Sequence, residues 1–146
     1  MLVYLAGPID MAAGENHFRA MADVMKDFGI SCYNPRAAYA GLNTQDKTDV
    51  ARMITVNKLA LYNSSAVVMI MRHDVPSVGT PIELYMAHQN HTPILAIWTG
   101  TPTATPAYLS HYADIVYGSL DELILDNPLL TIQKLTVKKS HLSIYD

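Results

Sequence analysis

The sequence predicts an α/β domain with a doubly wound parallel sheet of five strands, in the order 2-1-3-4-5, and helices on both faces. Three observations lead to this prediction. Apolar runs of strand length recur along the chain, and stretches in which apolar residues have helical spacing lie between them. Gly, Pro or Asn follows several of these strands and helices. Strands that alternate with helices form parallel sheets through right-handed crossovers.

The predicted strands are continuous apolar runs, as expected for strands that are buried on both faces of a sheet. They are Leu2 to Ala6, Ile30 to Tyr33, Ala66 to Met71, Pro93 to Trp98 and Ile115 to Tyr117. Gly7-Pro8 follows the first strand and Asn34-Pro35 the second, which is typical of a chain that leaves a sheet.

Helices are predicted between the strands. The first has apolar residues at helical spacing from Phe18 to Phe28 and ends at Gly29, a common C-terminal stop. The polar segment from Ala37 to Thr48 is predicted to be a surface loop able to act as a lid. The later helices are predicted at Val50 to Tyr62, around Glu83 up to Asn90, after Pro106, and at Leu120 to Leu125. The whole arrangement is flavodoxin-like.

Composition narrows the possible functions. The 146 residues, half of them hydrophobic, suit one compact domain, and a net charge of −3 offers no basic face for a nucleic-acid polymer. Cys32 is the only cysteine, so no intrachain disulfide can form. The six histidines show no metal-ligand spacing, and neither a metal nor a cofactor is predicted. Without a basic leader or an apolar run of about 18 residues, the expected location is cytoplasmic.

Three segments are expected to meet at the carboxyl ends of the strands: Tyr4 to Ile9, His73 to Glu83, and Trp98 to Pro106. Ligands of open α/β sheets bind in the crevice at this edge. Glu83 follows a buried strand and lies on the first turn of the next helix, which places a carboxylate at the crevice.

The segment Val3 to Ile9, Asn57, and the segment Ser77 to Glu83 together resemble the nucleoside 2-deoxyribosyltransferase superfamily. This superfamily includes 2'-deoxynucleoside 5'-monophosphate N-glycosidases. The resemblance extends in order and spacing over residues 2 to 125. Its specificity comes from the combination of the opening motif with the Gly-Thr-Pro-Ile-Glu segment.

The resemblance implies that Glu83 is a nucleophile that attacks the anomeric carbon of a nucleoside, and that Tyr4 orients it. From the residues themselves, Asp74, with His73, is a candidate for protonating the leaving base. The positions expected to bind the substrate, a small nucleoside or nucleotide, are Gly7, Pro8, Ile9, Asn57, Ser77, Gly79 and Thr80.

Two residues depart from the usual pattern of the transferases. Asn57 occupies a position that is commonly aspartate, so a neutral amide replaces an ionisable group. Ser77 occupies another aspartate position, where the nucleotide hydrolases have serine. A carboxylate there would repel a phosphate, whereas a hydroxyl can donate to it beside the amides of a helix N-terminus. Ser77 therefore favours a 5'-monophosphate substrate.

Each of these residues also has a purely structural interpretation. Glu83 could complete a capping box with Thr80 as the N-cap residue, since the spacing fits. Tyr4 could be a core tyrosine, Ser77 could serve only a turn, and the His73-Asp74 pair could be an exposed polar loop. Asn57 could hold a ligand or bond to backbone.

The expected function is therefore cleavage of an N-glycosidic bond through a glycosyl ester on Glu83, with transfer to water. The alternatives are base exchange by a 2-deoxyribosyltransferase and an inactive nucleotide-binding protein. Residues 1–128 are expected to form the α/β domain. The tail, residues 129–146, has short alternating stretches after Pro128 and is expected to pack on a neighbouring subunit of a homo-oligomer.

Overall fold

A computed structural model of the chain describes residues 1–8, 12–38, 42, 45–75, 77, 79–99 and 104–143. It confirms the predicted fold class, because five strands form one parallel sheet in the order β2-β1-β3-β4-β5. The strands are β1 (Leu2–Ala6), β2 (Ser31–Tyr33), β3 (Ala66–Arg72), β4 (Ile94–Thr99) and β5 (Ile115–Tyr117).

Strand β1 pairs with β2 on one side and with β3 on the other. The strand order therefore switches at β1: β2 is added on one side, and β3, β4 and β5 are added on the other. This switch opens a crevice between the carboxyl ends of β1 and β3. The register places Tyr4 opposite both Tyr33 and Val67. Residues 3 to 6 of β1 are fully buried, as expected for a strand that is covered on both faces.

The helices are α1 (Ala12–Asp27), α2 (Pro35–Ala38), α3 (Lys47–Asn63), α4 (Gly79–Gln89), α5 (Ala107–Tyr112), α6 (Leu120–Leu125) and α7 (Pro128–Ser143). Helix α3 begins three residues before the predicted start, because the Asp46 side chain accepts from the amides of Thr48 and Asp49. Part of the predicted lid, residues 37–48, lies outside the described residues. The start of that segment is not a loop but the end of helix α2 (Pro35–Ala38).

Alternating side chains of the strands face two separate cores. One core contains Val3, Leu5 and Val68 and is covered by α1, α6 and α7. The other contains Tyr4 and Met69 and is covered by α3, α4 and α5. Tyr4 therefore points to the same side of the sheet as the helix that carries Glu83.

The tail is a helix that packs on its own domain. Ile132 is fully buried in the core that α1 and α6 cover, and Leu129 and Leu135 lie against the same core. Lys139 forms a salt bridge with Asp114, with 2.8 Å between Nζ and Oδ2, and its ammonium also donates to the Thr92 carbonyl at 3.0 Å. The alternating stretch around Leu135 is thus helical, and contact of the tail with another subunit stays a prediction.

None of the helices in the described ranges has both the length and the apolar character that a membrane span needs.

Candidate active site

Ser77 and Thr80 organise the start of α4. The Thr80 amide donates to the Ser77 hydroxyl at 3.3 Å, and the two side-chain hydroxyls are 2.8 Å apart. A serine that accepts from an amide three residues later is acting as an N-cap. The capping-box interpretation of Glu83 is therefore wrong, because Ser77 occupies the Thr80 amide to which Glu83 would have bonded.

The Glu83 carboxyl is largely buried, and the capping bond does not use it. Its Oε2 atom is buried and has no hydrogen-bond partner among the residues that the structure describes. Burial raises the pKa of Glu83 to about 8, and the Tyr4 hydroxyl, which favours the ionised carboxyl, opposes this rise. A carboxyl whose pKa burial shifts so far, at the crevice of an α/β sheet, is a candidate functional group.

Tyr4 is the residue that the structure brings to Glu83. It is fully buried at the centre of the sheet, and its hydroxyl interacts with the Glu83 carboxyl so as to favour the ionised form. Tyr4 and Glu83 are thus adjacent, as their predicted roles require. The structural interpretation of Tyr4 also holds, because its ring fills the core that α3, α4 and α5 cover.

Tyr33 belongs to the same cluster and was missed by the sequence analysis. Its ring stacks on the Tyr4 ring with 5.4 Å between centroids and 17° between planes. Burial and the negative charge of Glu83 both raise the pKa of Tyr33, which shows that it lies near the carboxyl. The predicted strand order contained a signal, since Tyr4 and Tyr33 fall near the ends of neighbouring strands.

Asn57 bonds through its amide oxygen to another side chain. That oxygen, Oδ1, accepts a hydrogen bond of 3.0 Å from the Tyr33 hydroxyl. Asn57 lies on α3 and is partly buried, so it links this helix to the end of β2. Its predicted role in substrate binding stays untested.

The predicted proton donor Asp74 is held in an ion pair. Its two carboxylate oxygens accept from Nε and Nη2 of Arg72, at 3.0 and 2.7 Å. This hydrogen bonding holds the pKa of Asp74 below its ordinary value. A general acid needs a proton at the working pH, so the ion pair, which braces the turn after β3, disfavours Asp74 as the proton donor, and that role stays a prediction.

The remaining predicted binding residues that the structure describes follow the end of β1 or lie at the start of α4. Gly7 passes so close to β3 that a Cβ atom there would lie 3.0 Å from Cγ2 of Ile70, so a larger residue at this exit from the sheet would have to displace the Ile70 side chain. Pro8 is buried, and Ile9 lies outside the described residues. Gly79 is near the Glu83 carboxyl, because a Cβ on it would be 3.8 Å from Oε1. Thr80 is 1% exposed, and its hydroxyl lies 2.8 Å from the Ser77 hydroxyl.

His17 is a second residue that the sequence analysis did not single out. It lies on α1 near Arg72 and Asp74, and burial followed by the positive charge of Arg72 lowers its pKa, while Asp74 opposes this. Its imidazole is therefore neutral at pH 7. Across the described ranges, no three His, Cys, Asp or Glu side chains come together as a metal site.

Comparison with known proteins assigns the chain to a family. Residues 1–101 match the family model described as "Nucleoside 2-deoxyribosyltransferase like". The chain belongs to this family. Membership makes it an enzyme that acts on nucleosides or nucleotides, in agreement with the resemblance that the sequence suggested. A search of curated proteins finds no significant match.

Solved structures of the nucleoside 2-deoxyribosyltransferase-like fold superimpose on this one. A 2-deoxyribosyltransferase from Bacillus psychrosaccharolyticus gives a TM-score of 0.76 at 14% identity, over 85% of this chain and 90% of that one. The CMP N-glycosidase BcmB from Clostridium botulinum gives 0.62 at 16% identity, over 89% and 99%. A 2-desoxiribosyltransferase from Leishmania mexicana gives 0.62 at 15% identity, over 86% and 98%. At these identities the superpositions establish the shared flavodoxin-like fold.

Proposed function

We propose that this nucleoside 2-deoxyribosyltransferase-like protein cleaves the N-glycosidic bond of a 2'-deoxynucleoside or its 5'-monophosphate and transfers the sugar to water. The observation that carries the proposal is the Glu83 carboxyl, which is buried at the crevice, interacts with Tyr4 and plays no part in capping its helix. Burial favours the protonated carboxyl, and a nearby hydroxyl donor favours the ionised form. This combination suits a nucleophile that must carry its charge when it reacts.

Two displacements account for the chemistry. The ionised Glu83 oxygen forms a bond to the anomeric carbon while the bond from that carbon to the base nitrogen breaks, and the base leaves with the bonding electrons and takes a proton from solvent. A water molecule then attacks the same carbon, gives up a proton, and releases the Glu83 carboxylate. Because both steps invert the carbon, the sugar keeps its configuration overall.

Ionisation of Glu83 limits the first displacement. Its pKa of about 8 leaves most of the carboxyl protonated at pH 7. The Tyr4 hydroxyl favours the charged form and so supports the nucleophile in its reactive state. In this mechanism Tyr4 is the orienting residue. The ion pair with Arg72 disfavours Asp74 as the acid for the leaving base.

Ser77 supports a 5'-monophosphate as the preferred substrate. The Ser77 and Thr80 hydroxyls share a single hydrogen bond, so one of their two protons is not used between them. A hydroxyl at the N-terminal end of α4, near the positive end of the helix dipole, is suited to a phosphate oxygen. Base exchange is the second candidate, and the family to which the chain belongs supports it.

The test is incubation of the purified protein with a panel of 2'-deoxynucleosides and their 5'-monophosphates, followed by chromatography for free base. The expected result is base release from at least one monophosphate by the wild-type protein and none by Glu83→Gln. Isotopically labelled adenine in the same reaction distinguishes hydrolysis from exchange, since only a transferase incorporates the label into nucleoside. Tight binding of a nucleotide without any free base would contradict the proposal and identify a binding protein.

The proposed enzyme is a cytoplasmic homo-oligomer. A homo-oligomer agrees with the apolar residues Leu130 and Val137 on the outer face of α7, which are 49% and 59% exposed.

A further inference from the structure

Four residues from four elements form one chain of contacts that ends at Glu83. Asn57 on α3 accepts from the hydroxyl of Tyr33 on β2, the Tyr33 ring stacks on Tyr4 of β1, and the Tyr4 hydroxyl interacts with the carboxyl on α4. We propose that Tyr33 and Asn57 are positioning residues, which fix the Tyr4 ring so that its hydroxyl stays directed at Glu83. This inference rests on the proposed role of Glu83 as nucleophile.

The position of Tyr33 explains why it needs an anchor. It is the last residue of a three-residue strand at the edge of the sheet, and its side chain is only partly buried. A ring in that place is not held by its strand alone. The hydrogen bond of 3.0 Å to Asn57 ties the ring to α3, and the angle of 17° between the two rings shows that they stack with nearly parallel planes.

The same geometry explains why an amide suits position 57. A carboxylate there would also accept from the Tyr33 hydroxyl, but it would add a second negative charge near Glu83. Like charges disfavour ionisation of each other, and Tyr33 already responds to the charge of Glu83. The neutral amide of Asn57 anchors Tyr33 without that penalty. The departure from aspartate thus keeps the anchor and removes the charge.

Titration of Glu83 reports on this arrangement directly. In the described part of the chain, the titratable groups beside Glu83 are Tyr4, whose hydroxyl favours the ionised carboxyl, and Tyr33, whose own pKa is raised by the charge of that carboxyl. Asn57, on α3, is uncharged and accepts a hydrogen bond from the Tyr33 hydroxyl. If Tyr33 and Asn57 hold Tyr4 in place, removing either anchor weakens the interaction of Tyr4 with the carboxylate.

The experiment is a ¹³C NMR titration of protein labelled at the glutamate side-chain carboxyls. The sequence contains only three glutamates, Glu15, Glu83 and Glu122, and Glu83→Gln assigns the relevant signal. Tyr4→Phe is expected to move the midpoint of Glu83 to higher pH. Tyr33→Phe and Asn57→Leu are each expected to move it in the same direction by at least about 0.3 pH unit. Tyr108→Phe, at a tyrosine that is 77% exposed, is the matched control and leaves it unchanged.

A double substitution separates positioning from a direct effect. Because Tyr33 acts through Tyr4, Tyr33→Phe in the Tyr4→Phe background is expected to cause no further shift. A full additional shift, or an unchanged midpoint in both Tyr33→Phe and Asn57→Leu, overturns the inference. The titration needs no substrate, so it gives a result even if the protein releases no base. Conversely, base release with an unchanged midpoint contradicts the positioning role and leaves the proposed reaction intact.

Discussion

The Thr80 amide donates to the hydroxyl of Ser77, and this bond assigns helix capping to Ser77 rather than to Glu83. The two interpretations of Glu83, as cap or as nucleophile, make different demands on its surroundings. A capping carboxylate lies at the surface and bonds to an amide, whereas Oε2 of Glu83 is buried and has no such partner in the described ranges. The buried carboxyl therefore weakens the fold when it is charged, and this cost can be measured.

Glu83→Gln is expected to stabilise the protein at alkaline pH and to abolish turnover. The folded state holds the Glu83 proton up to a pKa of about 8, while the unfolded chain releases it near the ordinary glutamate pKa of 4.5. Stability from this group is thus complete below the unfolded value and is lost as pH rises towards 8. Near pH 9 the uncharged glutamine should gain about 2 to 5 kcal/mol over wild type. Chemical unfolding at acid and alkaline pH measures the difference.

The outcome that contradicts this prediction is equal stability of the two proteins at both pH values. Turnover gives a separate check, because an amide cannot form the glycosyl ester and base release should fall by at least about 100-fold. A glutamine variant that is stabilised at alkaline pH but still releases base would place the buried carboxyl outside the reaction.

The pH dependence of kcat/KM is expected to follow the ionisation of Glu83. Since the nucleophile must be charged, kcat/KM should rise about tenfold per pH unit below the pKa and level off above about 8. Tyr4→Phe removes the hydroxyl that favours the charged form of Glu83, so the rising limb of kcat/KM in this variant should move to higher pH. Initial rates of base release across the pH range test both statements, and a limb near pH 4 would contradict them.

The strands and their order followed from the sequence because each depends on local patterns. Continuous apolar runs identified the central strands, and the handedness of crossovers left few ways to join them. The placement of Tyr4 near Glu83 followed in turn, since Tyr4 lies on β1 and Glu83 lies on the helix that follows the neighbouring strand β3. Fold-level rules were sufficient for this part of the site.

The rest of the site depended on details that these rules do not contain. Whether Tyr33 reaches Asn57 is decided by the rotation of α3 about its axis and by one side-chain rotamer. The pairing of Arg72 with Asp74 is a contact across two residues in a turn, which sequence spacing alone leaves open. The tail was ambiguous because short apolar alternation fits a strand or a helix, and only packing against the core decided for the helix.

Ser77→Asp is expected to shift preference from a 5'-monophosphate to the unphosphorylated nucleoside. Aspartate is as good an N-cap as serine, so it should preserve the bond to the Thr80 amide and the start of α4. Two unit charges about 4 Å apart repel by roughly 4 kcal/mol at an effective dielectric of about 20, which would abolish useful phosphate binding. Comparison of kcat/KM for both substrates measures the shift. Ser77→Asn, an uncharged cap of similar size, is the control and should retain the monophosphate.

The tail provides two substitutions with opposite expected effects. Lys139→Met breaks the salt bridge to Asp114 and leaves a carboxylate that is only 21% exposed, which should cost about 2 to 3 kcal/mol of unfolding free energy without changing the assembly state. Leu130→Glu lies on the outer face of α7, where Leu130, Gln133, Lys134 and Val137 line a shallow groove. It should dissociate an oligomer that docks through this face and leave the stability of the subunit nearly unchanged.

Sedimentation velocity and chemical unfolding of both variants test the expected role of the tail. If the tail also docks on a neighbour, Leu130→Glu lowers the sedimentation coefficient while Lys139→Met lowers only the midpoint of unfolding. If the wild-type protein sediments as a monomer, the tail does not dock on a neighbour and packs only on its own domain. In that case truncation after Asn127 should still destabilise the fold, because it exposes the core that Ile132 fills, and any loss of activity would then come from unfolding.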